Sequence, residues 1–162
     1  MSGSFLDKDV PPTLISFAIA PIKKQDVVSP EFKEAGHPVY LFGAVDESAE
    51  SLKATWEAFH NLCKEGKVKA AWAVERGIGE AVMKMSFGNT IGFNFIDNVE
   101  IDDIFGYNYG SFIIETDLEL DETLLGKTSN EYKLIYNGLK VDLDELYKSY
   151  EDVLESVFPV NA

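Results

Sequence analysis

The residues of this 162-residue chain best placed to do chemistry lie where an apolar run, Val68 to Val74, breaks into Glu75-Arg76-Gly77-Ile78-Gly79. A glycine turn feeding a helix aims backbone N–H groups at the positive end of the helix axis, an arrangement that holds phosphate. The spacing matches neither the dinucleotide fingerprint nor the lysine-bearing phosphate loop, and glycines at strand-to-helix corners serve backbone geometry first. The turn therefore reads as a structural corner, with Arg76 as a fixed charge within reach of an anion.

Other reactive side chains are sparse. His37 precedes Pro38 and His60 follows Phe59; neither has a second histidine or a cysteine at ligand spacing, so no metal site is expected. Cys63 falls on the apolar stripe of a helix, where a thiol packs rather than attacks. No G-x-S-x-G elbow occurs, and Asp102-Asp103 reads as solvated carboxylates in a polar turn. The chain carries no self-sufficient catalytic set.

Charge narrows the partners. The net charge is −14, with 12 acids and 10 bases before residue 97 against 16 acids and 4 bases from there on. A surface this acidic repels a phosphodiester backbone, so nucleic acid is excluded as a natural partner. The acids interleave with apolar residues, as on a solvated face, and "DNVEIDDIFG" lacks the ligand spacing of a calcium loop. A lone cysteine, no signal-peptide pattern and no run long enough for a bilayer lead to the expectation of a soluble, cytoplasmic protein. With 46% hydrophobic residues, a chain of this length encloses one ordinary core.

The elements that must position the turn follow from period. "TLISFAIAPI" (13–22) is an apolar run expected to form a central strand, and "PVYLFGAV" (38–45) a second strand. Leu52, Trp56, Phe59 and Cys63 recur at helical spacing, predicting a helix over 49–66 capped by Ser48 and ended by Gly66. "VKAAWAV" (68–74) is a third strand, 79–89 a helix with Ala81, Val82 and Met85 inward, and "TIGFNFI" (90–96) another strand. Beyond it, "GSFIIET" (110–116) and "YKLIYNGLKV" (132–141), the latter with an Asn137-Gly138 hairpin turn, read as antiparallel additions to the sheet. A last amphipathic helix carries Leu143, Leu146, Tyr150, Val153 and Leu154 and stops before Pro159. The fold class is α/β of mixed α+β character: a layered domain with a mixed β-sheet and packed helices, some of its strands parallel. The chain begins in a loop and stops just after a helix, as expected of a segment cut from a longer polypeptide.

At "VPPTLISFAIAPI", "VVSPEFKEAGHPVYLFGAV", "VKAAWAVERGIGEAVMKMSFGNTIGF" and "LDELYKSYEDVLESVFP" the chain resembles phosphoribosylformylglycinamidine synthase of the long single-chain type, almost end to end. The matching part is its second aminoimidazole ribonucleotide synthetase-like C-terminal domain. The resemblance implies a lead-in segment at 1–12, the synthetase C-terminal-like domain at 13–141, and a helix and linker at 142–162 leading toward a glutamine amidotransferase domain. It implies a parent enzyme that uses ATP and Mg²⁺ to activate formylglycinamide ribonucleotide for attack by glutamine-derived ammonia. A preceding barrel-like module would supply the other wall of the cleft.

Many relatives carry a His-Asp pair and then Gly-Gly before the helix. Aligned on Glu80-Ala81, those positions hold Ala71-Trp72 and Arg76-Gly77 here. Ala71 and Trp72 accept no protons and bind no metal, so no catalytic residue is carried over. Gly77 matches, and Glu75 stands where an acid is usual. Glu75, Arg76 and Gly77 are thus the candidate nucleotide-facing loop of a fragment expected to be inactive and cofactor-free by itself. The alternative is a free-standing acidic module that docks a protein partner.

Overall fold

A computed structural model describes residues 3–5, 8–10, 12, 14–43, 46, 48–153, 155–157 and 159. A small antiparallel pair, β1 (Gly3–Phe5) and β2 (Lys8–Val10), precedes the main body. There, β3 (Pro38–Phe42), α1 (Ala49–Lys64), β4 (Ala70–Ala73), α2 (Ile78–Phe87) and β5 (Gly92–Phe95) follow one another. Then come α3 (Ile101–Phe105), β6 (Phe112–Glu115), β7 (Thr123–Ser129), β8 (Lys133–Tyr136), β9 (Leu139–Asp142) and α4 (Leu143–Asp152).

The strands form one seven-stranded sheet in the order β4-β6-β3-β7-β5-β8-β9. It is mixed, since β5 and β8 run parallel while the other neighbours are antiparallel. Of the late strands, β8 and β9 extend the sheet at one margin as an antiparallel pair, whereas β6 and β7 flank β3 on its two sides, with Phe42 opposite Phe112 and Leu41 opposite Thr123. The run at 13–22 is not a central strand. Residues 14–22 are exposed and make no strand pairing, and Thr13 lies outside the described residues. Ala44, Val45 and Leu154 are outside them too.

Alternation along the strands sends side chains to two faces. Val39, Leu41, Trp72 and Ile113 face a core closed by Ile78, Ala81, Val82 and Met85 of α2, with Phe32, Phe93 and Ile104. Tyr40, Phe42, Ala71 and Ile114 face the other way, against Phe59, Leu62 and Cys63 of α1, where Phe59 stacks on Phe112 with centroids 4.0 Å apart. The first face holds the larger buried core. The second is thinly covered: α1 has no fully buried residue, and Trp56 is 49% exposed with its indole N–H donating to the Gly110 carbonyl at 2.9 Å.

Helix α1 begins as its cap requires, the Ser48 hydroxyl accepting from Ser51 N at 3.2 Å. Its end is a Schellman arrangement, Lys67 N donating to Leu62 O and Gly66 N to Cys63 O, both at 3.0 Å. Asn137 and Gly138 take φ of 47° and 80°, the left-handed pair of a tight hairpin between β8 and β9. Asp102 and Asp103 lie exposed in the first turn of α3 rather than in a polar turn. Helix α4 starts on the Asp142 carboxylate, which accepts from Asp144 N and Glu145 N, and ends at Asp152, earlier than the sequence pattern implied.

Candidate functional site

Strand β4 delivers the chain to the corner, where Val74 N donates to Ser111 O at 2.9 Å. Glu75 and Arg76 then stand exposed, and Gly77 is buried at φ 108° and ψ 165°. A Cβ at Gly77 would sit 3.0 Å from the Ile104 carbonyl oxygen and 3.1 Å from that of Gly106. The glycine is needed twice, for its positive φ and for the close approach of the α3 backbone. Carbonyl oxygens packed against the corner make it structural first, and they are poor company for phosphate.

Arg76 is the chemical feature of this corner. Among the described residues no carboxylate pairs with it. It stands at the rim of two adjoining hollows. One, of about 620 Å³, lies between α2 and α4 and is lined by Glu75, Glu80, Lys84 and Tyr150. The other, of about 420 Å³, is apolar and lined by Met83, Phe95, Phe105, Tyr136, Leu139 and Leu146. Lys84 is already engaged, 2.8 Å from Glu80 and 5.6 and 5.5 Å from the ring centroids of Trp72 and Tyr150. Phe87 meets Tyr147 edge-on at 5.0 Å, which fixes α4 on α2.

The corner does not fit a complete ATP site. Arg76 and the already paired Lys84 stand beside Glu75 and Glu80, too little net positive charge for a triphosphate. For Mg²⁺, no group of three His, Cys, Asp or Glu residues converges among the described residues. Trp72 points into the α2 core and Ala71 toward α1, so neither position presents an oxygen or nitrogen ligand to the corner.

One polar cluster has no counterpart in the sequence reading. Glu115, at the end of β6, is fully buried, and its carboxylate accepts from Lys33 N at 2.7 Å, Glu34 N at 3.1 Å and His37 Nδ1 at 2.7 Å. Facing an acceptor-only carboxylate, Nδ1 carries the proton. His37 Nε2 lies 3.2 Å from Glu34, and the Thr128 hydroxyl donates to Glu34 O at 2.6 Å. The set is closed on itself and pins the loop before β3 to the sheet. Its only signal in the sequence was an acid ending the apolar stretch Phe112-Ile113-Ile114. Cys63 is half-buried on α1, where burial pushes its thiol up and so disfavours the thiolate.

These layers, with a mixed sheet carrying α2 to α4 on one face and α1 on the other, define an aminoimidazole ribonucleotide synthetase-like fold. The solved structures it matches include phosphoribosylformylglycinamidine synthase II from Thermotoga maritima, at TM-score 0.62 and 16% identity over 77% of this chain and 28% of that one. T. maritima PurL complexed with ATP gives 0.61 and 15%, over 77% of this chain and 28% of that one. Thiamine monophosphate kinase from Aquifex aeolicus gives 0.50 and 13%, over 71% and 54%. This chain thus spans less than a third of the synthase chains it matches. No protein-family model matches it, and no curated protein sequence does. The fold is that of a PurL-like synthetase domain.

Proposed function

We propose that this chain is a domain of a phosphoribosylformylglycinamidine synthase, the ATP-dependent ligase that transfers glutamine-derived ammonia to formylglycinamide ribonucleotide in purine biosynthesis. The observation that carries the reading is the match of three quarters of the chain to T. maritima PurL structures, among them complexes with FGAR and with ATP. The order of its sequence blocks agrees. Glu75, Arg76 and Gly77 form one wall of an interdomain cleft, the two hollows beside Arg76 being open to a second module. That module, a barrel-like one preceding residue 13, supplies the remaining phosphate and magnesium ligands, and residues 142–162 lead on toward an amidotransferase domain.

A lone wall does not turn over substrate. The complete polypeptide encoded by the gene should form the amidine from formylglycinamide ribonucleotide, ATP, Mg²⁺ and glutamine, whereas the 162-residue chain should show neither turnover nor heat on titration with ATP and Mg²⁺. Tight nucleotide binding with turnover by the isolated chain would refute the half-site. A complete polypeptide that leaves the formamide unchanged would refute the assignment.

A further inference from the structure

The apolar hollow beside Arg76 has a floor and sides made by this chain alone. In the sheet, Leu134 pairs with Val141 and Tyr136 with Leu139, while Phe95 stands two residues beyond Phe93, the partner of Leu134, so these side chains share one face. Phe95 and Tyr136 meet edge-on with centroids 6.1 Å apart, which makes the floor aromatic. Helix α4 reaches α2 at Phe87, through Tyr147 and Tyr150. Nearer the start of α2 a space of about 420 Å³ remains over the floor, closed at its sides by Met83, Ile104 and Leu146.

Its chemistry is uneven. Phe105 and Leu139 at its edge are 71% and 64% exposed, and the charged side chains that line it are Arg76 and Glu80 alone. The Glu80 carboxylate is taken by Lys84 at 2.8 Å, whereas Arg76 pairs with no carboxylate among the described residues. Small-molecule sites have this character, a space of about 300–1,000 Å³ with an apolar lining and few polar groups that fix orientation.

We propose that this hollow binds a small aromatic monocarboxylate, its ring seated on the floor and its carboxylate held by the Arg76 guanidinium. A planar fork of N–H donors suits one carboxylate, and with Glu75 beside it offers too little charge for a chain of phosphates. A second copy of the chain is the poorer occupant, since a net charge of −14 on each opposes self-association. The site goes beyond the synthase reading and does not depend on it.

Methionine methyl NMR on the 162-residue chain tests this, with naphthoate as the probe and naphthamide, the same ring bearing a neutral amide, as its control. Met83 lines the hollow and Met85 is fully buried in the core, so naphthoate should shift the Met83 methyl saturably and leave that of Met85 in place. Arg76→Gln should weaken naphthoate about tenfold and leave naphthamide unchanged, whereas Leu139→Ser should weaken both about fivefold. Absence of a saturable Met83 shift, or a shift that neither variant alters, would overturn the site. Equal affinity for acid and amide would overturn the role of Arg76. Displacement of naphthoate by ATP would overturn the ligand class in favour of a nucleotide. None of these outcomes bears on whether the complete polypeptide makes the amidine, so the two readings fail separately.

Discussion

Replacing Glu115 probes the main polar contact that holds the loop before β3. In Glu115→Ala, Lys33 N, Glu34 N and His37 Nδ1 all lose their acceptor, a carboxylate that is itself fully buried. A buried donor left unpaired costs about 1–3 kcal/mol, and breaking a buried charged cluster by removing one partner about 3–5 kcal/mol, so the alanine variant should lose about 3–5 kcal/mol. Glu115→Gln separates electrostatics from shape. Its amide oxygen can take the Oε1 position, which serves Glu34 N and His37, leaving the NH₂ against the Lys33 N–H. One contact of three is then lost, for about 1–2 kcal/mol. Urea titration followed by the fluorescence of Trp56 and Trp72 reads both values, provided the slope stays constant between variants. A loss below about 1 kcal/mol for the alanine variant, or equal losses for the two, would refute the reasoning.

The glycine corner gives a paired test. Gly77→Ala meets strain at φ 108° and two carbonyl oxygens near 3 Å, and should cost about 2–4 kcal/mol; Gly138→Ala, at φ 80° in open space, should cost about 1 kcal/mol. Thermal melts that rank the two in reverse would remove the close-approach argument. Acid titration tests the Glu31 cluster: the Lys33 ammonium and Ser29 hydroxyl, each 2.7 Å from Glu31, draw its carboxyl down to about 2 from 4.5. A depressed carboxylate contributes stability that is present above pH 4.5 and lost as pH falls through 2, so wild type should weaken across that window and Lys33→Met should weaken less steeply. Glu31 is a third exposed, so the difference is small, read as a shift of urea midpoint with pH.

Elements specified by local chemistry were legible in the sequence. Helix α1 announced itself by its spacing and the Ser48 cap, α2 by Ala81, Val82 and Met85, and the β8–β9 hairpin by Asn137-Gly138. The rest depended on partners distant in the chain. An uncharged, nearly continuous apolar run has the same pattern whether its partners lie within this domain or elsewhere, so 13–22 read as a central strand. Likewise, nothing local to β6 or β7 states that they flank β3, because that order is fixed by register across the whole sheet. At the site, Gly77 was legible as a corner because positive φ is a property of one residue. The hollows beside Arg76 and the burial of Glu115 arise only when α2, α3, α4 and the loop at 29–37 converge.

The position of β3 has a consequence for the ribosome. Its two hydrogen-bonding neighbours, 112–115 and 123–129, emerge long after it does. At translation rates of about 5–20 residues per second, Val39 to Phe42 wait about 4–15 s for a first partner. During that interval the nascent chain carries both the open run at 14–22 and the unpaired strand at 38–42, so its need for chaperone shelter should peak before the second half has been made.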